Sequence, residues 1–281
     1  MEINFKQVEL SDKQAVDNIL RQSDRRFCEV SFANLFCWAP MSQYKIAICD
    51  DTLIIGKPEQ NRFVLPIGEK VAEAVEVLKK DYPHLTIRGA AENELHFLEG
   101  FEISEETGFF DYIYQSEKLA NLSGKKLAAK RNHINAFLAS GEWHTEIITP
   151  AHANTLMEFN RRWCEGRCDE SSLGHEMCAV LTALKNYEAL GLSGLMLYKN
   201  GQLVAYSYGE PINHDTFCVH VEKADMAVRG AYQMINREFV RTFCQDYAYV
   251  NREDDAGDEG LKKAKLSYYP TEVGRKFKGT L

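Results

Sequence analysis

The sequence has no run of more than five consecutive apolar residues; the longest are Leu35–Ala39 and Met177–Leu181. A membrane-spanning helix needs about 20, so none is predicted. The first ten residues have neither the basic nor the apolar stretch of a secretory signal. A cytoplasmic protein is expected. Prolines are few, 7 in 281 residues, and no short repeat dominates, which excludes collagen-like and low-complexity chains. A nucleotide-binding P-loop is missing, as is a Ser/His/Asp signature. Cysteines are not paired in any recognisable spacing. The eight, at 28, 37, 49, 164, 168, 178, 218 and 244, fall mostly inside apolar segments. They read as small buried hydrophobes of a reducing compartment rather than disulfides. Cys164, Cys168, His175 and Cys178 lie within 15 residues, but the spacing fits no structural zinc module. No metal is predicted.

What is present is an ordinary globular composition, 45% apolar, 26% charged and 11% aromatic. The length allows two domains or one large one. The net charge of −8 argues against a polyanion binder using its whole surface. That charge is uneven. Residues 1–110 carry 12 Lys and Arg against 19 Asp and Glu, whereas residues 111–281 carry 21 against 22. Residues 118–137 hold Lys118, Lys125, Lys126, Lys130 and Arg131 with no acid. An anionic ligand is expected to meet the second half.

Periodicity divides the chain into two series of elements in matching order. Ser11 or Asp12 caps a helix through Gln22, and Ser31 caps a shorter one ending before Pro40. A hairpin turning at Asp50–Asp51, a third strand at 62–66, a helix at 71–82, a strand at 85–89, a short helix at 92–98 and a strand at 109–114 follow. The second series has helices at 124–139, 150–164 and 173–190. Next comes a hairpin turning at Asn200–Gly201, a strong signal between alternating apolar runs. A third strand at 216–221, a helix from Ala231 to Phe243, a strand at 247–251 and a helix at 260–267 complete it. The matched order predicts a duplicated α+β unit.

Four segments carry candidate chemistry. His220 and Glu222, two apart on a strand, are expected on one face, where each shifts the other's pKa and suits general-base work. Arg229-Gly230-Ala231 joins a strand to a helix, and a helix N-terminus with a glycine and an arginine can hold a phosphate; a plain turn fits equally. Asn251–Pro270 runs from a strand end through an acidic loop containing Glu253 and Asp254 to Lys262, Lys263 and Lys265, followed by Ser267, Tyr268 and Tyr269. Ligands often bind at strand C-termini, and a self-neutralising surface loop is the other reading. Lys126, Lys130 and Arg131 lie on a basic helix suited to phosphates, or to offsetting the acidic first half.

Two stretches, YQSEKLANLSGKKLAAKRNHINAF (114–137) and NREDDAGDEGLKKAKLSYYP (251–270), resemble a bacterial family related to the C-terminal domain of phosphatidylglycerol lysyltransferase. Arg229-Gly230 resembles a degenerate form of the coenzyme A loop of Gcn5-related (GNAT) acyltransferases, lacking its second glycine. The resemblance implies two tandem GNAT-like domains, each a mixed, mostly antiparallel sheet flanked by helices, at 1–118 and 119–281. It implies transfer of an acyl or aminoacyl group from a coenzyme A or tRNA donor, with no tightly bound cofactor. The acceptor would be a small molecule or lipid headgroup bearing an amine or hydroxyl. Glu222 or His220, with Glu253 as the next candidate, would be the base. Arg229, Gly230, Ala231, Lys263, Lys265 and Tyr268 would hold the donor, and Lys126, Lys130 and Arg131 a tRNA. The alternative is a non-catalytic tandem module binding a nucleotide-like or nucleic-acid ligand.

Overall fold

The structure, a computed structural model, describes residues 1–165 and 170–281, with only the backbone of 170–174. The expected α+β architecture with two mixed sheets is present. The first sheet contains β1 (Lys6–Gln7), β2 (Lys45–Cys49), β3 (Thr52–Lys57), β4 (Arg62–Val64), β5 (Ile67–Gly68), β6 (Thr86–Ala90) and β7 (Glu102–Glu105). The second contains β8 (Asp111–Gln115), β9 (Trp143–Ile147), β10 (Ser193–Lys199), β11 (Gln202–Pro211), β12 (Thr216–Ala224), β13 (Tyr249–Asn251) and β14 (Glu272–Gly274). The last strand, β15 (Phe277–Thr280), returns to the first sheet and pairs with β6 and β7. Sheet membership therefore does not divide at residue 118: β8 belongs to the second sheet and β15 to the first.

Helices cover both sheets. They are α1 (Lys13–Leu20), α2 (Phe32–Ser42), α3 (Val71–Asp81), α4 (Ser116–Asn121), α5 (Ala128–Ala139), α6 (Ala153–Cys164), α7 (Glu170–Lys185), α8 (Tyr187–Leu190), α9 (Ala231–Phe243) and α10 (Glu259–Leu266). Ser31 caps α2 as expected, accepting from the Asn34 N–H at 3.0 Å. The helix continues through Pro40 to Ser42 rather than stopping before it.

The period-2 alternation of the strands sorts the core. On β3, Leu53 and Ile55 face one way and Ile54 the other; on β10, Met196 opposes Leu195 and Leu197. The outer face of the first sheet packs on α3 through Ala74, Val75 and Leu78. The outer face of the second packs on α5 and α9 through Ile134, Phe137, Met234 and Phe239. The inner faces share one core: Ile46, Leu53 and Ile55 meet Phe32, Leu156, Phe159, Val180, Met196 and Tyr206. Burial of apolar surface thus couples the two halves directly.

Charge couples them too. Lys276, just before β15, is completely buried; its ammonium stands 3.0 Å from Asp111 and 2.6 Å from Glu29. Arg26 pairs with Asp215 at 2.6 Å and lies over the Tyr249 ring at 4.1 Å. Asn213 and Asn251 donate to the Arg25 and Arg26 carbonyls, and Asp111 accepts the Cys28 N–H at 2.7 Å. Residues 25–34 of the first half are therefore stapled across the second sheet.

Of the cysteines, 28, 37, 164, 218 and 244 are buried as expected, but Cys49 is partly exposed and Cys178 is exposed. Cys168 lies outside the described residues. No helix among the described residues is long and apolar enough to cross a membrane.

Breaking a buried pair strands a charge and costs about 3–5 kcal/mol. Lys276→Met is expected to lower stability by about that much in urea denaturation; a loss below about 1 kcal/mol would show that Asp111 and Glu29 do not rely on it.

A candidate active site where two strands part

Strands β12 and β13 are the parallel pair of the second sheet. They pair from Thr216–Tyr249 to Cys218–Asn251 and then separate. β12 continues to Ala224, while β13 ends. A bulge sits at this point: Val219 opposes Gly209 and Val221 opposes Tyr208, leaving His220 as the extra residue. Gly209 makes this possible, because a Cβ there would lie 2.0 Å from the Cys218 carbonyl oxygen.

The bulge resets the alternation. His220 turns to the inner face, toward Ser31, Glu210 and Glu253. Glu222 turns to the outer face, toward Arg252 and Asn236. The two residues expected on one face are therefore on opposite faces, because the simple i, i+2 rule assumes an unbroken pleat.

On the inner face His220 Nδ1 is 2.8 Å from Glu253 and Nε2 is 3.4 Å from Glu210. Ser31, from the first half, lies 3.3 Å from Nε2 and donates to Glu210. Burial works against a charged imidazole. The Cys218 sulfur beside it and the two carboxylates outweigh that and hold its pKa well above 6.5. Burial alone would raise the Glu210 pKa; the His220 contacts hold it below its ordinary 4.5. The arrangement is carboxylate–imidazolium–carboxylate. Glu253 adopts a left-handed backbone, φ 57°, with its N–H on Asn251 Oδ1 at 2.6 Å. Such strain in a non-glycine residue costs about 1–3 kcal/mol and clusters at functional sites.

On the outer face Arg252 pairs with Glu222 at 2.7 Å, and Asn236 donates to the same carboxylate at 2.8 Å. The guanidinium lies 4.7 Å from the Tyr268 ring and 5.7 Å from the Tyr114 ring. Lys130 stands 4.1 Å from Tyr268 and donates to Ser267 at 2.6 Å. Burial and the Arg252 charge lower the Lys130 pKa. Among the described residues two buried atoms at this site have no hydrogen-bond partner: Arg252 Nη1, a donor, and Asn236 Oδ1, an acceptor.

The other expected site residues are dispersed. Lys265 is buried and donates to the Arg252 and Asp254 carbonyls, so it shapes the loop. Lys263 and Arg229 are exposed. Gly230 begins α9 with φ 87°, and a Cβ there would meet the His133 carbonyl oxygen at 2.2 Å; close helix packing requires this glycine. The Ala231 N–H donates to Val228 rather than standing free. Arg131 donates to the Leu122 and Gly124 carbonyls after α4, and Lys126 is exposed over Tyr269. Sequence reasoning missed Arg252, Asn236, Glu210, Ser31 and Asn34. Arg252 was within reach, one residue before Glu253; the others are brought in by long-range packing.

Among the described residues two groups could hold a metal by proximity, Cys218–His220–Glu253 and Cys28–Asp111–Asp254, each with donor atoms within 4.8 Å. In the first, Glu253 already stands 2.8 Å from His220 Nδ1. In the second, the Lys276 ammonium already stands 3.0 Å from Asp111 and 3.7 Å from Cys28. A separate open cleft of about 720 Å³ lies at the other end of β13, lined by Gln115, Val240, Arg241, Tyr247 and Tyr249.

The sequence profile described as "Phosphatidylglycerol lysyltransferase, C-terminal" matches residues 20–278. The chain belongs to this family. A conserved protein of unknown function from Bacteroides thetaiotaomicron is 38% identical, with TM-score 0.93 and full coverage of both chains. L-PGS from Bacillus licheniformis superposes with TM-score 0.67 at 15% identity, over 95% of this chain and 91% of that one. A GNAT-family acetyltransferase from Colwellia psychrerythraea gives TM-score 0.53 at 10% identity, over 100% of this chain and 99% of that one. These last two show the shared fold. An uncharacterised protein of Mycoplasmoides gallisepticum is 28% identical over 170 residues, 59% of this chain; the match spans 54% of that relative.

The inner-face geometry makes a direct prediction. A raised histidine pKa adds stability that is complete below about pH 6.5, the unfolded value, and is lost as pH rises through the folded value. His220 is expected to remain imidazolium at pH 7.5 by side-chain NMR, and Glu253→Gln to lower its pKa. Titration of the wild-type ring near 6.5 would contradict this reading.

Proposed function

We propose that this chain transfers an aminoacyl or acyl group to an amine or hydroxyl acceptor at the opening between β12 and β13. The observation that carries this is the pairing of a carboxylate–imidazolium relay on one face with a partnerless arginine donor on the other. Membership of a lysyltransferase family and likeness to GNAT folds support transfer chemistry.

In this reading Glu253 takes the proton from the acceptor nucleophile, and the His220 imidazolium stabilises the carboxylate until then. The nucleophile attacks the donor carbonyl directly. The Arg252 guanidinium donates to the oxyanion that forms. As the carbonyl re-forms, the thiol or hydroxyl leaves and takes the proton from Glu253. Glu222 acts through Arg252 as a positioning residue, and Lys130 and Tyr268 line the outer face.

The two partnerless atoms favour an aminoacyl donor over a plain acyl one. An aminoacyl group offers a carbonyl for Arg252 Nη1 and an ammonium for Asn236 Oδ1, whereas an acetyl group would leave Asn236 unanswered. An aminoacyl-tRNA ester is therefore the donor we favour, and an acyl-coenzyme A thioester the second. A lipid headgroup or a small amine or alcohol would serve as acceptor.

With the active donor identified by screening, Glu253→Gln should lower turnover about 10²–10⁴-fold while the donor KM holds, as loss of a general base does. Arg252→Lys keeps the charge but loses the fork, and should cost about 10²–10³ in turnover. Turnover unchanged by both would place the chemistry elsewhere.

A further inference from the structure

Strand β9 is an edge of the second sheet; among the described residues it pairs with β10 alone. The Ile148 N–H donates to the Gly194 carbonyl, and the Glu142 carbonyl accepts from the Asn200 N–H. Antiparallel ladders alternate, so the even-numbered residues give their backbone groups to β10. Trp143, Thr145 and Ile147 therefore turn their N–H and C=O groups outward, where no described strand meets them. Proteins blunt such edges by shortness, charge or proline. β1 and β14 have two and three residues, and β7 carries Glu102 and Glu105. β9 has five residues, with no proline and no lysine. Trp143 and Ile147 are exposed at its two ends, and Leu138 of α5 is exposed beside Trp143 in an open groove.

We propose that β9 pairs with β9 of a second copy of this chain, antiparallel across a two-fold axis at Thr145. The strand Trp143-His-Thr-Glu-Ile147 is complementary to itself in that register. Thr145 meets Thr145 of the second copy, Trp143 meets Ile147, and His144 meets Glu146. Trp143, Thr145 and Ile147 have the outward backbone groups, so their pairs are the hydrogen-bonded ones. An aromatic ring opposite a β-branched chain is a favourable cross-strand pair. His144 and Glu146 fall at the closer, non-hydrogen-bonded position, where an imidazole N–H can donate to a carboxylate. The His144 ring is already held there, stacked on Tyr198 at 4.8 Å and 3.3 Å from Glu146 of its own chain. Moving the axis to His144 would set histidine against histidine, and moving it to Glu146 would set glutamate against glutamate, which is unfavourable. An extended peptide of another protein could use the same edge, but it would not require this self-complementarity. The pairing is isologous and closes on itself, joining two seven-stranded sheets into one. β9 lies three strands from β12, about 14 Å at the usual strand spacing, so the opening between β12 and β13 stays clear. The dimer does not depend on the transferase reading.

The experiment is sedimentation velocity of the full chain from about 1 to 200 μM, since a dimer forms by mass action. The mass should rise from 32.1 kDa toward twice that value. Thr145→Pro removes an N–H that β10 does not use; it should leave the chain monomeric throughout that range, with unchanged circular dichroism. Glu146→Lys sets a cation opposite His144 and should weaken the dimer about tenfold. Adding His144→Glu to it restores an opposite pair and should recover the affinity. In a Cys178→Ser background, which removes an exposed thiol, Thr145→Cys should crosslink to its own copy on oxidation, because the paired Cα atoms would lie about 5.5 Å apart. Trp143→Cys should not, because its counterpart would be about four residues, or 13 Å, away along the strand. A wild-type chain still monomeric at the top of the concentration range would overturn the proposal. So would a dimer that Glu146→Lys leaves intact, or one that crosslinks through position 143 and not 145.

Discussion

Parallel pairing between β12 and β13 stops after Cys218 and Asn251, and the site depends on where it stops. Two strands that separate leave backbone groups and side chains facing a gap that no ladder fills. Here the gap is crossed on each face by a charged pair, His220 with Glu253 inside and Glu222 with Arg252 outside. The bulge at His220 is what assigns the pairs to different faces. In an unbroken strand His220 and Glu222 would crowd the same side, and either Glu253 or Arg252 would lose its partner. Gly209 is the small residue that lets the bulge exist.

The opening is not the property of one half. Ser31 and Asn34 come from the segment before and at the start of α2, and they touch Glu210, His220 and Glu253. That segment is held in place by Asp111, Asn213 and Asn251, and behind it stands the buried Lys276. A lysine taken fully out of water is tolerable only because two carboxylates meet it. The same cluster ties β15 of the first sheet to Asp111 on β8 of the second, so the contact between the sheets and the placement of Ser31 and Asn34 rest on the same buried charges.

Much of this was legible in the sequence. Apolar periodicity located the hairpin at Asn200–Gly201, the α9 stripe and the two-sheet α+β class, because those signals are local. The strand end at Asn251 with its dense charge marked the loop that carries Arg252 and Glu253, and Glu253 was among the candidates. What was not legible arises from pairing between distant segments. A bulge is a register difference between two strands, so reading β12 alone put His220 and Glu222 together. Gly230 looked like a phosphate glycine because the motif is short; the need for it comes from α5, about a hundred residues earlier in the chain. Arg131 looked like a free cation because helical periodicity alone does not show that it reaches back to the carbonyls at Leu122 and Gly124. The return of β15 to the first sheet had no sequence signal, since a four-residue strand carries too little periodicity to read.

In the proposed reaction acyl transfer takes place between Glu253 and Arg252. It is tested most directly by a crystal structure with a non-hydrolysable aminoacyl-adenosine amide. The acyl carbonyl is expected within hydrogen-bond distance of Arg252 Nη1, the α-ammonium on Asn236 Oδ1 and the carbonyl carbon open to attack from the side of Glu253. The amide bound instead in the cleft lined by Gln115, Val240 and Tyr247, with Arg252 and Asn236 unchanged, would contradict it.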